Sequence, residues 1–207
     1  MEVSCTYYRE TIITNKKLII LDNVILPTQA DFIESSMISV EKNQLSRIAW
    51  YFGDSVVDLK CEEKDTPKKY QYMFVHQFFD PTCGIATSQE NWNLIQPLRD
   101  KLDAGSYLRI KANLYPAVEK VYTHGFHIDL PYSNILSAVY FVNSNNGYTY
   151  FKGDELIQVE SVKNRLVIFP NGLLHSGTTC TDTKARVVIN FNYICDPQHI
   201  HYKHYFK

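Results

Sequence analysis

Several features that would place the chain in a specialised class are missing from its 207 residues. There is no apolar run of about 18 residues, the length that spans a bilayer as a helix. No N-terminal segment combines a basic start, an apolar stretch and a small-residue cleavage site. Internal repeats, low-complexity tracts and a convincing linker are absent as well. The sequence therefore predicts a soluble, cytoplasmic protein.

The chain also has no excess of charge of one sign and no cysteine pattern that would define a site. Its 21 basic and 22 acidic residues give a net charge of −1, which provides no general attraction to nucleic acid or to an anionic membrane. The five cysteines are odd in number and show no Cys-X-X-Cys spacing. This usage fits free thiols in a reducing compartment better than a disulfide framework or a zinc site.

What the sequence does contain is enough apolar and aromatic material for one folded domain. Hydrophobic residues make up 45% of the chain and charged residues 21%, which is a globular composition. The 15 tyrosines and 11 phenylalanines favour β structure. We expect a single domain over 1–207, with a strand-and-helix support over 1–105, a β core over 106–196 and a histidine-containing, partly solvated tail over 197–207.

The support region mixes strand and helix signals. Lys17–Leu21 is a short β-prone run, and Thr28 fits the N-cap of a helix whose apolar residues recur at helical spacing. Ser88 begins a second helical pattern, in which Pro97 predicts a kink or a restart. The charged, proline-containing stretch 60–69 is interpreted as a solvated loop.

Eight strand-like runs fill the core region, separated by segments rich in Pro, Gly, Asn and Asp. The runs are Tyr107–Tyr115, Gly125–Leu130, Ile135–Val142, Tyr148–Lys152, Leu156–Glu160, Arg165–Phe169, Leu174–Gly177 and Arg186–Tyr193. Eight short strands at this spacing indicate two packed sheets of the jelly-roll type. The predicted fold class is therefore mainly β (α+β), with helices confined to the N-terminal support.

One small group of residues carries recognisable chemistry. In His127-Ile128-Asp129 the histidine and the aspartate point the same way, because residues two apart share one face of a strand. His175, on a later run, would complete a set of two imidazoles and one carboxylate. Such a set leaves one side of a metal open to small ligands, as in non-heme Fe(II) oxygenases. Arg186, eleven residues after His175, offers a guanidinium fork for the carboxylate of an organic acid.

The last hundred or so residues resemble the 2-oxoglutarate- and Fe(II)-dependent oxygenases, and within them the prolyl 4-hydroxylase-like branch of bacterial, phage or viral type. The segments that carry the resemblance are Ala112-Asn113-Leu114-Tyr115-Pro116, His127-Ile128-Asp129, Ala138 to Asn143, Val167 to Pro170, His175, and Arg186 to Asn192. The resemblance implies a double-stranded β-helix (jelly-roll, cupin-like) core, Fe(II) as the metal, 2-oxoglutarate and O₂ as co-substrates, and ascorbate as a candidate stimulant. The implied reaction converts a substrate C–H to C–OH, with succinate and CO₂ as co-products.

The same resemblance implies roles for the metal-type residues. His127, Asp129 and His175 match the family's iron ligands, and Arg186 matches its partner for the C5 carboxylate of 2-oxoglutarate. Asp129 favours hydroxylation over halogenation, because it occupies the position that would otherwise be open to a halide. Neutral imidazoles are needed for metal binding, so metal affinity should fall at acid pH.

Further residues are candidates for holding 2-oxoglutarate. Tyr115 matches a tyrosine whose hydroxyl also contacts the C5 carboxylate in prolyl hydroxylases. Asn190 stands where a small hydroxyl residue often binds the same group, and Asn113 points to the same side of its strand as Tyr115. Phe141 departs from the pattern, because related enzymes often have tyrosine there. The neighbouring Tyr140 faces the opposite side of the sheet and cannot replace that hydroxyl.

The substrate is less closely defined. The resemblance makes a prolyl residue of a peptide or protein the leading hypothesis, with a free amino acid or another small molecule as the alternative, since this fold hosts many substrates. A non-catalytic, cupin-like metal-binding module is a further alternative, against which Arg186 argues, because such a barrel needs no carboxylate anchor beside its metal. Trp50 and His124 are candidates for the substrate rim, and structural packing is the competing interpretation for both.

Overall fold

The computed structural model describes residues 6–13, 16–38, 45–56, 65–102 and 104–195. The helices and strands in these ranges are β1 (Tyr7–Ile13), β2 (Lys16–Asp22), α1 (Pro27–Met37), β3 (Tyr51–Gly53), β4 (Met73–Asp80), β5 (Gly84–Ile85), α2 (Gln89–Leu94), α3 (Gln96–Leu102), β6 (Ala104–Pro116), β7 (Leu136–Phe141), β8 (Tyr148–Lys152), β9 (Leu156–Glu160), β10 (Arg165–Pro170), β11 (His175–Gly177) and β12 (Ala185–Cys195). A short 3-10 turn spans Lys68–Tyr70. The tail 197–207 and residues 60–64 of the predicted loop 60–69 lie outside the described residues.

The strands form two antiparallel sheets that differ in size. The large sheet has the order β1-β2-β10-β7-β12-β6-β4-β3, with β5 paired to the end of β4. The small sheet has the order β11-β8-β9. Phe151 of β8 and Val159 of β9 belong to one buried cluster with Val139 and Phe141 of β7, so the small sheet covers one face of the large one. The two sheets thus make the two walls of a barrel.

The large sheet is buried on both faces, which explains why its central strands are almost continuously apolar. Along β7, Ala138 and Tyr140 pack into the cluster that contains the helices, whereas Val139 and Phe141 pack into the cluster under the small sheet. All six residues of that strand are buried. Burying two faces of a strand removes the alternation of polar and apolar residues expected for a half-exposed sheet. On the face of the large sheet that the small sheet covers, a functional site is therefore expected where polar residues interrupt the apolar surface.

Seven of the eight predicted core strands are present, and two of them, β8 and β9, have the predicted bounds. The remaining predicted strand, over Gly125–Leu130, is wrong. Within that segment only His127 forms a bridge, to His175, through two reciprocal backbone hydrogen bonds of 3.0 Å. One bridge is enough to fix the two histidines side by side, but the chain then bends at Asp129 instead of continuing as a strand.

The helix signals are reproduced with one shift. Ser88 caps α2 as predicted, because its hydroxyl accepts a hydrogen bond from the amide of Asn91. The helical pattern breaks after Leu94 and restarts as α3, with Pro97 in the first turn, where its missing N–H is not needed. The prediction that Thr28 caps α1 is wrong. The helix already begins at Pro27, whose missing N–H is likewise not needed in the first turn. Among the described residues no helix is long and apolar enough to cross a membrane.

Candidate metal centre

His127, Asp129 and His175 lie together between the two sheets. One ligand atom from each residue can be chosen so that all three lie within 4.8 Å of one another. The two imidazole rings have their centroids 4.6 Å apart, and Nε2 of His175 is 3.9 Å from Oδ2 of Asp129. The three residues singled out in the sequence are thus brought to one point, at spacings that a single divalent ion can bridge.

Hydrogen bonds to the backbone orient both imidazoles toward that point. Nδ1 of His127 is 3.1 Å from the carbonyl oxygen of Gly125, and Nδ1 of His175 is 3.2 Å from that of Leu173. A carbonyl oxygen can only accept, so each Nδ1 carries a proton, and Nε2 is the nitrogen of each ring that can coordinate a metal. Backbone bonds of this kind fix tautomer and ring orientation in metal-binding histidines.

The protonation states of the site also suit a metal. Burial, and then the charge of His175, lowers the pKa of His127 to about 4, so its imidazole is neutral at neutral pH. Burial alone would raise the pKa of Asp129, but the charges of His175, Arg109 and His127 hold it well below its usual range. The site therefore offers a cation one carboxylate and at least one neutral imidazole. These ligands can replace the water that the cation loses when it binds.

A buried hydrogen-bond network holds the carboxylate of Asp129 in place. Nη2 of Arg109 donates to Oδ1 at 2.9 Å, and Nδ2 of Asn192 donates to Oδ2 at 3.0 Å. Arg109 also donates from Nε to Oδ1 of Asn192, and Asn192 in turn donates to the hydroxyl of Ser137. The Ser137 hydroxyl donates to Asn171, whose amide binds the carbonyl oxygens of the turn that follows Asp129. Both the carboxylate and its turn are thereby fixed to the large sheet.

A pocket with a cavity volume of about 40 Å³ opens beside the three residues. Its walls are formed by Val56, Lys111, Asn113, Tyr115, His127, Asp129, Val139, Thr149, His175, Gly177, Arg186, Val188 and Asn190. The strand register explains the composition of this wall. Alternate residues of β6 and β12 face inward, and Tyr115 pairs with Arg186, Asn113 with Val188, and Lys111 with Asn190.

Arg186 is 1% exposed and is held rigidly at one end of the pocket. Its Nη2 donates to the hydroxyl of Thr149 at 2.8 Å, and its Nε donates to the hydroxyl of Ser161 at 3.0 Å. The rings of Tyr115 and Phe141 each lie 5.7 Å from the guanidinium carbon. Among the described residues no carboxylate pairs with this cation, so a ligand anion can complete it. Phe141, the departure from the expected tyrosine, contributes a ring face in place of a hydroxyl.

Tyr115 borders the same end of the pocket, and His124 lies behind it. Burial raises the pKa of Tyr115, against the opposing charge of Arg186, so its hydroxyl stays protonated and can donate. His124 stacks on the Tyr115 ring at 5.2 Å and is 2% exposed, with Nδ1 bonded to Thr66. The proposed rim position of His124 is therefore wrong, because the residue is enclosed and only supports Tyr115.

Trp50, the other rim candidate, also lies elsewhere. Its indole N–H donates to the carbonyl oxygen of Met37 at the end of α1, and its ring packs against the cluster on the helix side of the large sheet. That cluster and the pocket lie on opposite faces of the sheet. Packing, the competing interpretation, is the one that the contacts support.

Asn113 and Asn190 do reach the pocket, together with Lys111, which was not singled out in the sequence. The side-chain oxygens of both asparagines are buried without a hydrogen-bond partner among the described residues. Burial, and then the charge of Arg109, lowers the pKa of Lys111 to about 8, although Asp129 opposes the shift. Its amine is still mainly protonated at neutral pH. Buried polar atoms without a partner are costly, so these groups favour a polar ligand in the pocket.

Sequence reasoning missed several residues that the structure places at the site, among them Arg109, Lys111, Thr149, Ser161 and Asn192. Period-two counting from Tyr115 down β6 would have reached Lys111 and Arg109, and counting from Arg186 up β12 would have reached Asn192. For Thr149 no such signal exists, because its contact with Arg186 depends on how the small sheet lies over the large one.

The network around Asp129 gives a first testable prediction. Replacing Asn192 by leucine removes one of the two donors that orient the carboxylate while keeping the branched shape of the side chain. We expect Asn192→Leu to raise the dissociation constant for Mn²⁺, measured by calorimetry, by about 10–100-fold, the usual effect of losing a residue that orients a metal ligand. Asn93→Ala, on the exposed side of α2, is the control and should leave it unchanged. Equal Mn²⁺ affinity in Asn192→Leu and wild type would refute the positioning role.

No protein-family model and no curated protein matches the sequence. Solved structures do match. A 2OG-Fe(II) oxygenase family oxidoreductase from Burkholderia pseudomallei aligns with a TM-score of 0.59 at 11% identity, over 86% of this chain and 85% of its own. The non-heme alpha-ketoglutarate-dependent epimerase SnoN from nogalamycin biosynthesis aligns with a TM-score of 0.56 at 11% identity, over 86% and 78%.

A third similar structure is a prolyl hydroxylase from Trichoplax adhaerens in complex with a peptide fragment of the hypoxia-inducible factor oxygen degradation domain. It aligns with a TM-score of 0.52 at 12% identity, over 86% of this chain and 83% of its own. At such low identity these likenesses establish the fold. The chain has the fold of the 2-oxoglutarate- and Fe(II)-dependent oxygenases, and the double-stranded β-helix expected from the resemblance is confirmed.

Proposed function

We propose that the protein is a 2-oxoglutarate- and O₂-dependent Fe(II) hydroxylase. One observation carries the proposal: the set of two imidazoles and one carboxylate opens into the same pocket as Arg186, a buried cation without a carboxylate partner among the described residues. A structural metal site would need the first feature but not the second. A metal ligand set and an anchor for an organic acid in one pocket match the needs of an enzyme that binds a 2-oxo acid beside its metal.

The residues present fit both groups. His127, Asp129 and His175 would hold Fe(II), and Arg186 with Tyr115 would hold the C5 carboxylate of 2-oxoglutarate. Bound Fe(II) with 2-oxoglutarate and O₂ supplies the oxidation of a substrate C–H to C–OH, with release of succinate and CO₂. A similar structure, that of SnoN, contains Fe³⁺ and alpha-ketoglutarate, which supports this pairing of groups with the fold.

The chain itself contributes binding, orientation and exclusion of water. Arg186 offers two parallel donors to a carboxylate, and the hydroxyl of Thr149 keeps the guanidinium from rotating. The Tyr115 hydroxyl adds a third donor to the same end. Val139 and Val188 form an apolar wall next to these groups, which favours a dry site and strengthens the charge–charge contact with the co-substrate.

For the primary substrate we propose a prolyl residue. Two observations support it, namely the resemblance to the prolyl 4-hydroxylase-like branch and the fold shared with a prolyl hydroxylase that binds a peptide fragment. Arg186 is 1% exposed whereas His127 and Asp129 are only partly buried, so a substrate residue would enter from the side of His127 and Asp129.

The reaction class is tested by product analysis. The protein with Fe(II), ascorbate and 2-oxoglutarate is incubated in air with free proline, proline-containing peptides and a cell lysate. We expect succinate formation that depends on Fe(II), and a product that is heavier by one oxygen atom, measured by mass spectrometry. Succinate without any oxygenated product would leave the proposed co-substrates intact and exclude the proline compounds tested. No succinate under any condition would contradict the proposal.

The seat of Arg186 gives a second prediction. A Cβ added at Gly147 would lie 2.8 Å from Cδ of Arg186 and 2.7 Å from the carbonyl oxygen of Thr179, distances that force one of them to move. We expect Gly147→Ala to raise the dissociation constant for 2-oxoglutarate by about 10-fold or more, because a strained core site typically costs about 1–3 kcal/mol. Gly53→Ala, whose added Cβ would meet only ordinary contacts of 3.5–3.8 Å, is the control. Equal affinities in the two variants would argue against a rigid seat.

A further inference from the structure

The pocket contains a second cation, Lys111, to which the proposed chemistry gives no role. Lys111 lies four residues before Tyr115 on β6, and one inward-facing residue, Asn113, lies between them. At the rise of an antiparallel strand this places the Lys111 backbone about 13 Å from that of Tyr115. Arg109, the next inward-facing residue of β6 beyond Lys111, donates a hydrogen bond to Asp129 at 2.9 Å. Lys111 therefore lies at the end of the pocket that holds the metal-type residues, away from Arg186.

The other groups at that end are already engaged with one another. Arg109 donates to both Asp129 and Asn192, and its side chain is 19% exposed, so solvent screens it. Lys111, in contrast, has no hydrogen bond or ion pair with any of the residues that the structure describes. It pairs across the strands with Asn190, whose side-chain oxygen also has no hydrogen-bond partner among the described residues. An ammonium group beside an amide oxygen, neither with a partner in the described part of the chain, indicates that a polar ligand completes this part of the pocket.

Charge balance indicates the sign of that ligand. A divalent metal, Arg186 and Arg109 contribute four positive charges, whereas Asp129 and a dianionic 2-oxo diacid contribute three negative ones, so the site already carries no surplus of negative charge before Lys111 is counted. Lys111 then remains as an uncompensated cation in a largely desolvated pocket, which is a costly arrangement. One further negative charge would compensate it. Because the co-substrate is already accounted for, that charge belongs to the molecule that is oxidised.

We propose that Lys111 binds a carboxylate of the primary substrate, so that the hydroxylated residue is a free amino acid or a chain-terminal residue with a free α-carboxylate. This inference rests on the proposed function and narrows its substrate class. For a prolyl substrate it selects free proline or a C-terminal proline over a proline inside a peptide. An internal prolyl residue carries no charge of its own and would leave the Lys111 ammonium unpaired.

The test compares acids with their amides in a complex that cannot turn over. Protein loaded with Zn²⁺ and 2-oxoglutarate is titrated, by calorimetry, with the twenty L-amino acids, with Gly-Pro and Ala-Pro dipeptides, and with the carboxamide of each compound. We expect at least one acid to bind 10-fold or more tightly than its amide. In Lys111→Met, which keeps an unbranched side chain but removes the ammonium group, that preference should fall below about 3-fold, whereas Lys111→Arg should retain most of it. Lys101→Met, an exposed lysine at the end of α3, is the matched control.

Three outcomes would overturn the assignment. They are binding of no acid in the panel, equal binding of acid and amide by the wild type, and a loss of 2-oxoglutarate affinity in Lys111→Met without any substrate present. The last would assign Lys111 to the co-substrate. Failure of the proposed function is separately visible, because the wild type would then form no Fe(II)-dependent succinate in air. Normal succinate formation together with equal binding of acids and amides would overturn only the role of Lys111.

Discussion

Asp129→Ala is expected to abolish turnover of 2-oxoglutarate. The change removes the only carboxylate of the proposed ligand set and leaves the Arg109 cation facing two imidazoles. A cation at that point would then meet positive charge instead of a compensating anion, so both metal binding and catalysis should be lost. We expect Fe(II)-dependent succinate formation to fall at least about 1,000-fold, which corresponds to about 4 kcal/mol of transition-state stabilisation.

The control for this variant is Asp154→Ala, at an exposed position between β8 and β9. Both variants should retain the thermal unfolding behaviour of a folded domain, because Arg109 can turn its partly exposed side chain toward solvent. Iron-dependent decarboxylation of 2-oxoglutarate that survived intact in Asp129→Ala would show that the ligand assignment is wrong.

Arg186→Leu is the second change with a large expected effect. The guanidinium is the one buried cation at its end of the pocket among the described residues, and the C5 carboxylate of 2-oxoglutarate would lose its charged partner. Truncating one partner of a buried charge pair typically costs about 2–5 kcal/mol. We therefore expect the dissociation constant for 2-oxoglutarate to rise by about 30-fold to several thousand-fold.

Two further variants separate loss of the ion pair from general damage. Arg186→Lys keeps the charge but not the fork, so its affinity should be intermediate. Arg165→Leu removes an arginine that is paired with Asp22 of the neighbouring strand β2, outside the pocket. It should leave 2-oxoglutarate binding unchanged. If Arg186→Leu lowered turnover but bound 2-oxoglutarate with wild-type affinity, Arg186 would not be the anchor.

The parts of the fold that the sequence predicts are those with a local cause. The strands β8 and β9 are bounded by turn residues on both sides, and their limits agree with the prediction. Ser88 and Pro97 act on the backbone within one helical turn, so their effects are legible in the sequence. Local causes failed only where a competing one was stronger, as at Pro27, which begins α1 before Thr28 can cap it.

The predictions for the functional site can be divided in the same way, into those with a local cause in the sequence and those without one. The spacing of His127 and Asp129, and the distances in sequence to His175 and Arg186, sufficed to propose the metal and carboxylate sites. The strand geometry behind that spacing was wrong, because the segment forms one bridge and then turns. The two side chains converge because the network around Asp129 pulls the turn onto the large sheet.

The remaining residues of the pocket depend on contacts between strands that are far apart in the chain. Thr149 and Ser161 bind Arg186 from the small sheet and from the connection after it, 37 and 25 residues away. Lys111 becomes notable only when its register with Asn190 and its lack of a partner among the described residues are known. Trp50 shows the reverse case, an aromatic residue whose composition suits a rim but whose indole bonds to the end of α1.

The central claim is that Fe(II) and 2-oxoglutarate bind together in the pocket that is lined by His127, Asp129 and His175. The most direct measurement is an anaerobic titration of the protein with Fe(II) and 2-oxoglutarate, followed by visible absorption spectroscopy. We expect a weak charge-transfer band that requires both compounds, is absent in Asp129→Ala, and is followed by succinate formation when air is admitted. No band in the anaerobic complex and no succinate in air would contradict the account and favour a metal-binding module without enzymatic activity.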